Sequence, residues 1–170
     1  MPATYEKIAT TTLGSATASV TFSSIPSTYT DLVLVAYAAN TGSDAANTGY
    51  MQYNSDSGNN YSDTIVYTEG ATPTSFRTTN SNAIGLWTIM GSTDSNRYSS
   101  IVVNFQNYSN STTYKTTLNR IGTATASGGW TNMSAGVWRN TNAITSILVG
   151  GGTNWRSGST FTLYGILKAA

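Results

Sequence analysis

Reactive side chains are scarce in this chain. Its 170 residues include no histidine and no cysteine. The commonest general base, the thiolate nucleophile and the nitrogen and sulfur ligands for metals are therefore missing. Seven carboxylates remain: Glu6, Asp31, Asp44, Asp56, Asp63, Glu69 and Asp94. Cleaving a glycosidic bond takes two of them across a sugar ring. Asp56 and Asp63, flanking an expected turn, are the best-spaced pair. Ser and Thr hydroxyls are plentiful, yet each needs an activating base to attack anything. The plainer role for both aspartates is to cap turns. No catalytic residue, cofactor site or metal site is assigned.

Two other patterns bear on binding. Asn54-x-Asp56-x-Gly58-x-Asn60 sets oxygen-bearing side chains at alternate positions, as calcium loops do. It lacks the glycine at the sixth position and the bidentate glutamate at the twelfth, so turn geometry explains it better. Four tryptophans and eleven tyrosines could stack on the apolar faces of sugars. Trp87 and Trp138 fall in strand-like segments and are expected as core or inter-subunit filler. Trp130 and Trp155 lie in Gly- and Ser-rich segments that read as loops, which makes them the candidate contact surface. No glycine-rich stretch precedes a helix, so no phosphate-cradling loop is expected.

The elements that must position these residues read as strands throughout. The segment Thr30 to Ala38, containing Leu32-Val33-Leu34-Val35-Ala36, is apolar on both faces of an extended chain. It therefore predicts a central strand buried on both sides, entered through Ile25-Pro26. Ala16 to Ser23 alternates, with Ala16, Ala18, Val20 and Phe22 on one face. Further strands are expected at 5–13, 49–53, 63–68, 83–90, 98–106, 114–125, 133–139, 144–149 and 160–167. Leu118 and Ile121 are out of phase, which predicts a bulge between them. Residues 69–82 read as the longest irregular stretch. Ser127-Gly128-Gly129, Asn140-Thr141-Asn142, Gly150-Gly151-Gly152 and Ser157-Gly158-Ser159 read as turns. About eleven short strands without helical periodicity predict an all-β, antiparallel β-sandwich; periodicity does not separate a jelly roll from another Greek-key arrangement, and a jelly roll is the arrangement expected. No fixed-period repeat is present.

Composition bounds the rest. The length suits one domain over residues 1–170. Only 9% of residues are charged, while Thr, Ser and Asn make up about 40%. With 39% hydrophobic residues in short periodic runs, this is a β-rich exterior rather than a disordered chain. A net charge of +1 provides no field for nucleic acid or an anionic membrane. No apolar run approaches the length of a spanning helix. The opening Met1-Pro2-Ala3-Thr4-Tyr5-Glu6-Lys7 lacks the basic-then-apolar layout of a leader, so none is expected.

Four blocks, in order along the chain, then point to a family. Ile25-Pro26-Ser27-Thr28-Tyr29-Thr30-Asp31-Leu32 resembles the "I-P-x-x-Y-T-D-L" segment of small β-sandwich virion proteins of tailed bacteriophages, cyanophages included. Tyr53-Asn54-Ser55-Asp56-Ser57-Gly58-Asn59-Asn60-Tyr61-Ser62 resembles that family's "F-N-G-D-x-G-x-N-Y-S" turn, departing at Ser55, where the pattern has glycine. Phe105-Gln106-Asn107-Tyr108-Ser109-Asn110 with Tyr114-Lys115-Thr116 is similar to its "Q-N-Y-S-N…Y-K-T". Gly158 to Ile166 looks like its terminal strand. The resemblance implies a virion structural protein and carries over no catalytic residue. The expected role is a capsid decoration or cement protein, a homotrimer on the major capsid protein or other virion proteins. The alternative is a head- or tail-fibre module that recognises a host-surface glycan. Neither role implies a cofactor, nucleic acid or membrane.

Overall fold

The computed structural model describes residues 4–43, 46–91, 96–125 and 128–167. These residues form twelve strands: β1 (Tyr5–Thr12), β2 (Thr17–Phe22), β3 (Asp31–Ala38), β4 (Ala46–Tyr53), β5 (Tyr61–Thr68), β6 (Pro73–Ser81), β7 (Ile84–Met90), β8 (Ser99–Gln106), β9 (Lys115–Thr125), β10 (Gly128–Trp138), β11 (Ile147–Trp155) and β12 (Thr160–Ile166). All pairings are antiparallel. An eight-stranded sheet, β1-β12-β3-β8-β9-β10-β5-β6, packs on a four-stranded sheet, β2-β11-β4-β7, as a sandwich. The pairs β1·β12, β2·β11, β3·β8 and β4·β7 are nested in the chain, an order compatible with a jelly roll. The hairpins β5–β6 and β9–β10 extend only the larger sheet.

Strict alternation builds the core. Leu32, Leu34, Ala36 and Ala38 from β3 meet Ile101, Val103 and Phe105 from β8 and Phe161 and Leu163 from β12. Val20 and Phe22 from β2, Met51 and Tyr53 from β4, Ile84 and Leu86 from β7, and Ile147 and Val149 from β11 close it from the other sheet. Each large aliphatic or aromatic side chain removed from water contributes about 1.5–3 kcal/mol.

Four expectations are corrected. β3 lies within the large sheet, between β12 and β8, but only one of its faces is covered throughout. Val35 and Tyr37 on the other face are 40% and 54% exposed, so the apolar run supplies both a core and a surface. Residues 69–82 are not irregular, because Pro73–Ser81 is the edge strand β6. An edge strand needs few apolar residues, and a proline at its first position removes no ladder donor. β9 pairs in unbroken register with β8 and β10, so no bulge separates Leu118 from Ile121. Leu118 faces outward and Ile121 inward because they are three residues apart, and an odd spacing along a regular strand puts side chains on opposite faces. Gly150-Gly151-Gly152 is not a turn but the middle of β11, where the register with β2 shifts and Gly152 takes φ +72°.

Candidate functional site

The turn between β4 and β5 is built around Asp56. Its Oδ1 accepts the Gly58 amide at 2.8 Å, and its Oδ2 accepts Trp138 Nε1 at 2.7 Å and Asn60 Nδ2 at 2.9 Å. Burial pushes its carboxyl up, but these three donors outweigh it and hold the pKa below the usual value. Asn54 Oδ1 accepts the amides of Thr145 and Ser146 at 2.8 and 3.1 Å, pinning the turn to the approach to β11. The oxygens that would face a cation therefore face protein donors. Among the described residues no group of three or more metal-ligating side chains forms. Asn54 and Ser55 both adopt left-handed backbone, at φ 52° and 58°, which is the conformation that suits glycine at the second of them.

Asp63 belongs to a different network. Inward on β5 and 2% exposed, its Oδ2 accepts the Gly85 amide at 3.2 Å and Trp87 Nε1 at 3.1 Å. β7 is the edge of the small sheet, and Asp63 thus satisfies an amide that no partner strand reaches. Burial pushes the Asp63 carboxyl up, against the pull of those two donors. Asp56 and Asp63 share no donor, so the structure does not assemble them as a pair. Asp44 and Asp94 lie outside the described residues, as do Met1, Pro2, Ala3 and Ser127.

The two tryptophans assigned to a contact surface separate. Trp155 is fully buried, its Nε1 donating to the Val149 carbonyl at 3.0 Å and its ring set edge-on to Phe161 at 5.1 Å. It cannot contact a partner from there. The glycines around it mark close approach rather than exposure: a Cβ on Gly49 would stand 3.1 Å from the Trp155 ring. Trp130 is half-buried on β10, in the other sheet from Trp155. Trp138 is a core residue, as expected, packed 5.6 Å from Tyr53. Trp87 is half-buried rather than core filler.

Two surfaces stand out instead. The first is the outer face of the large sheet. Register places Val35, Val102, Arg120, Met133 and Val66 side by side in one row across β3, β8, β9, β10 and β5. Val66 and Met133 are 49% and 53% exposed, and Leu118 stands exposed beside the row. A shallow depression of about 670 Å³ lies there, floored in part by Gly122. The second surface is a pair of grooves that share Trp87 and Thr48, where Asp63 of β5 and Phe76 of β6 meet the edge strand β7 of the small sheet. Sequence reasoning missed both. The one local hint was the exposed-face phase of Val35 and Tyr37, and it reads equally well as a doubly buried strand. No protein-family model, curated protein or solved structure matches the chain.

Proposed function

We propose that the chain is a structural component of a tailed-phage virion, a decoration protein that docks on the shell through the outer face of its eight-stranded sheet. The observation that carries this reading is the exposed row Val35–Val102–Arg120–Met133–Val66. Val35, Met133 and Val66 of that row are exposed, Val102 is half-buried and Arg120 stands among them; clustered exposed apolar side chains of this kind mark contact sites. The four sequence blocks support the virion setting, and the near-neutral charge supports contacts that are insensitive to salt. A homotrimer over the junctions between shell subunits would add several weak contacts into a stable one. The partner is the shell subunit, which would meet apolar side chains with its own.

Gly122 provides a clean test. A Cβ there meets nothing within 4 Å and Gly122 is exposed, so Gly122→Arg should put its side chain into the depression while leaving the fold intact. Particles assembled with this variant should lose the protein, while the isolated variant melts like the wild type. Full occupancy of the variant on purified particles would refute the assignment.

A further inference from the structure

In the row that crosses the large sheet, four residues are apolar and one is charged. Arg120 stands in the middle, with Val102 beside it on β8 and Met133 beside it on β10. Leu118 and Gly122 precede and follow it on the same face of β9. None of these four neighbours carries an oxygen or nitrogen in its side chain.

The guanidinium has five N–H donors. Among the described residues its one hydrogen bond runs from Nη2 to Asn104 Oδ1, at 3.2 Å. The strands around the depression, β8, β9, β10 and β5, hold a single carboxylate, Asp63, and it faces the core. Arg120 is exposed, so in the free chain water meets its charge.

Docking removes that water. A partner that covered the row with apolar side chains alone would strand a cation in a dry interface. The cost of an unpaired buried charge exceeds what one more apolar contact returns. A neutral acceptor such as a backbone carbonyl leaves the charge uncompensated. A carboxylate accepts two N–H groups in parallel and cancels the charge. Asn104 already orients the guanidinium from one side.

A second copy of this chain does not meet that need through the same face. Because Arg120 lies mid-row, a two-fold axis through the row sets the two guanidiniums against each other. A phosphate-rich surface fits no better, since it calls for a cluster of cations and this row has one.

We propose that the shell surface facing this row carries an aspartate or glutamate set among apolar residues, and that its carboxylate pairs with Arg120 beside the depression floored by Gly122. The inference rests on the docking reading above and adds the partner's chemistry to it. Apolar contact supplies the area. The ion pair decides which surface is accepted, because a shell without the acid would leave Arg120 unpaired.

The test is rebinding of the purified full chain to particles assembled without it, read as bound protein after sedimentation. Arg120→Leu is the decisive variant, since it adds apolar area to the row. Its side chain is exposed, so it should melt like the wild type. It should nevertheless bind about thirtyfold more weakly, because the shell's acid is left buried and unpaired. Arg120→Lys keeps the charge but loses the fork, and should bind about three- to tenfold more weakly. Arg120→Leu binding as well as the wild type or better would overturn the proposal, because the opposing surface would then be apolar throughout. Arg120-dependent binding to phosphatidylglycerol vesicles would also overturn it, by assigning the cation to a lipid phosphate. Gly122→Arg reads the docking face separately. Full occupancy by that variant removes the docking reading and this inference with it. Loss of Gly122→Arg while Arg120→Leu still binds removes only the carboxylate.

Discussion

The two halves of the large sheet solve burial differently. Under β1-β12-β3-β8 the inner face is apolar: Leu32, Leu34, Ile101, Val103, Phe161 and Leu163 are all buried. Under β9-β10-β5-β6 the inward positions include Lys115, Thr117, Asn119, Asn132, Ser134 and Asp63. β9, β10 and β5 of the second half lie close against β7, the edge strand of the small sheet, and Tyr61, Ile121 and Trp138 join the core there. Some of the second half's polar groups are well served. Lys115 Nζ donates to the carbonyls of Thr113 and Thr141 at 2.7 and 2.9 Å, and Asn119 Nδ2 donates to Ser134 at 3.0 Å. Others are not: both side-chain polar atoms of Asn132, together with Asn119 Oδ1 and Thr117 Oγ1, have no partner. The first half is held by apolar volume, and the second by buried aliphatic and aromatic side chains, among them Tyr61, Ile65, Ile121 and Trp138, together with hydrogen bonds that are incomplete.

One substitution in each half makes that contrast measurable. Leu34→Ala should cost about 2–5 kcal/mol, because a cavity opens where neighbours on both sheets cannot close in. Asn132→Leu should do the reverse, raising stability by about 1–3 kcal/mol as two unsatisfied atoms are replaced by methyls. Urea denaturation of both variants decides it. A destabilised Asn132→Leu would contradict the view that its amide is an unpaired cost to the fold.

The two aspartates sharpen the same contrast through pH. Asp63 is raised, chiefly by burial, against the pull of Trp87 and Gly85. The folded state therefore holds its proton more tightly than the unfolded chain. That contribution is full below the unfolded value of about 3.9 and is lost as pH rises through the native value. Asp63→Asn, a stand-in for the protonated acid, should gain on the wild type as pH rises from about 4 towards neutrality. Asp56 is lowered: burial acts upward, but the bonds from Trp138, Gly58 and Asn60 prevail. Its contribution is present above about pH 3.9 and is lost as pH falls through the native value, so Asp56→Asn should converge on the wild type in acid. Parallel stability curves for the two variants would contradict the assigned environments.

The smallest effect is expected outside both halves. Ser55 holds φ 58° in the Asp56 turn, and Ser55→Gly should stabilise by about 1 kcal/mol by relieving the left-handed penalty. Calorimetry resolves a gain of that size. A loss would mean that the serine hydroxyl anchors the turn.

What was legible in the chain was whatever one strand writes by itself. Alternation at Val20 and Phe22, and at Ile101, Val103 and Phe105, marked inward faces, because side-chain direction reverses at every residue. Asp56 with Gly58 and Asn60 spelled a turn through bonds that span four residues at most. Everything that depends on which strands meet was decided by tertiary structure. β6 carries little apolar signal and exists as a strand because β5 offers it an edge. Trp155 sits among glycines that read as a loop, yet pairing with Thr17 and Asn40 draws it into the core. Trp87 and Asp63 are 24 residues apart, and the row from Val35 to Val66 crosses five strands. Register, which no single segment encodes, aligned the row, and the packing of one sheet on the other brought Asp63 to Trp87.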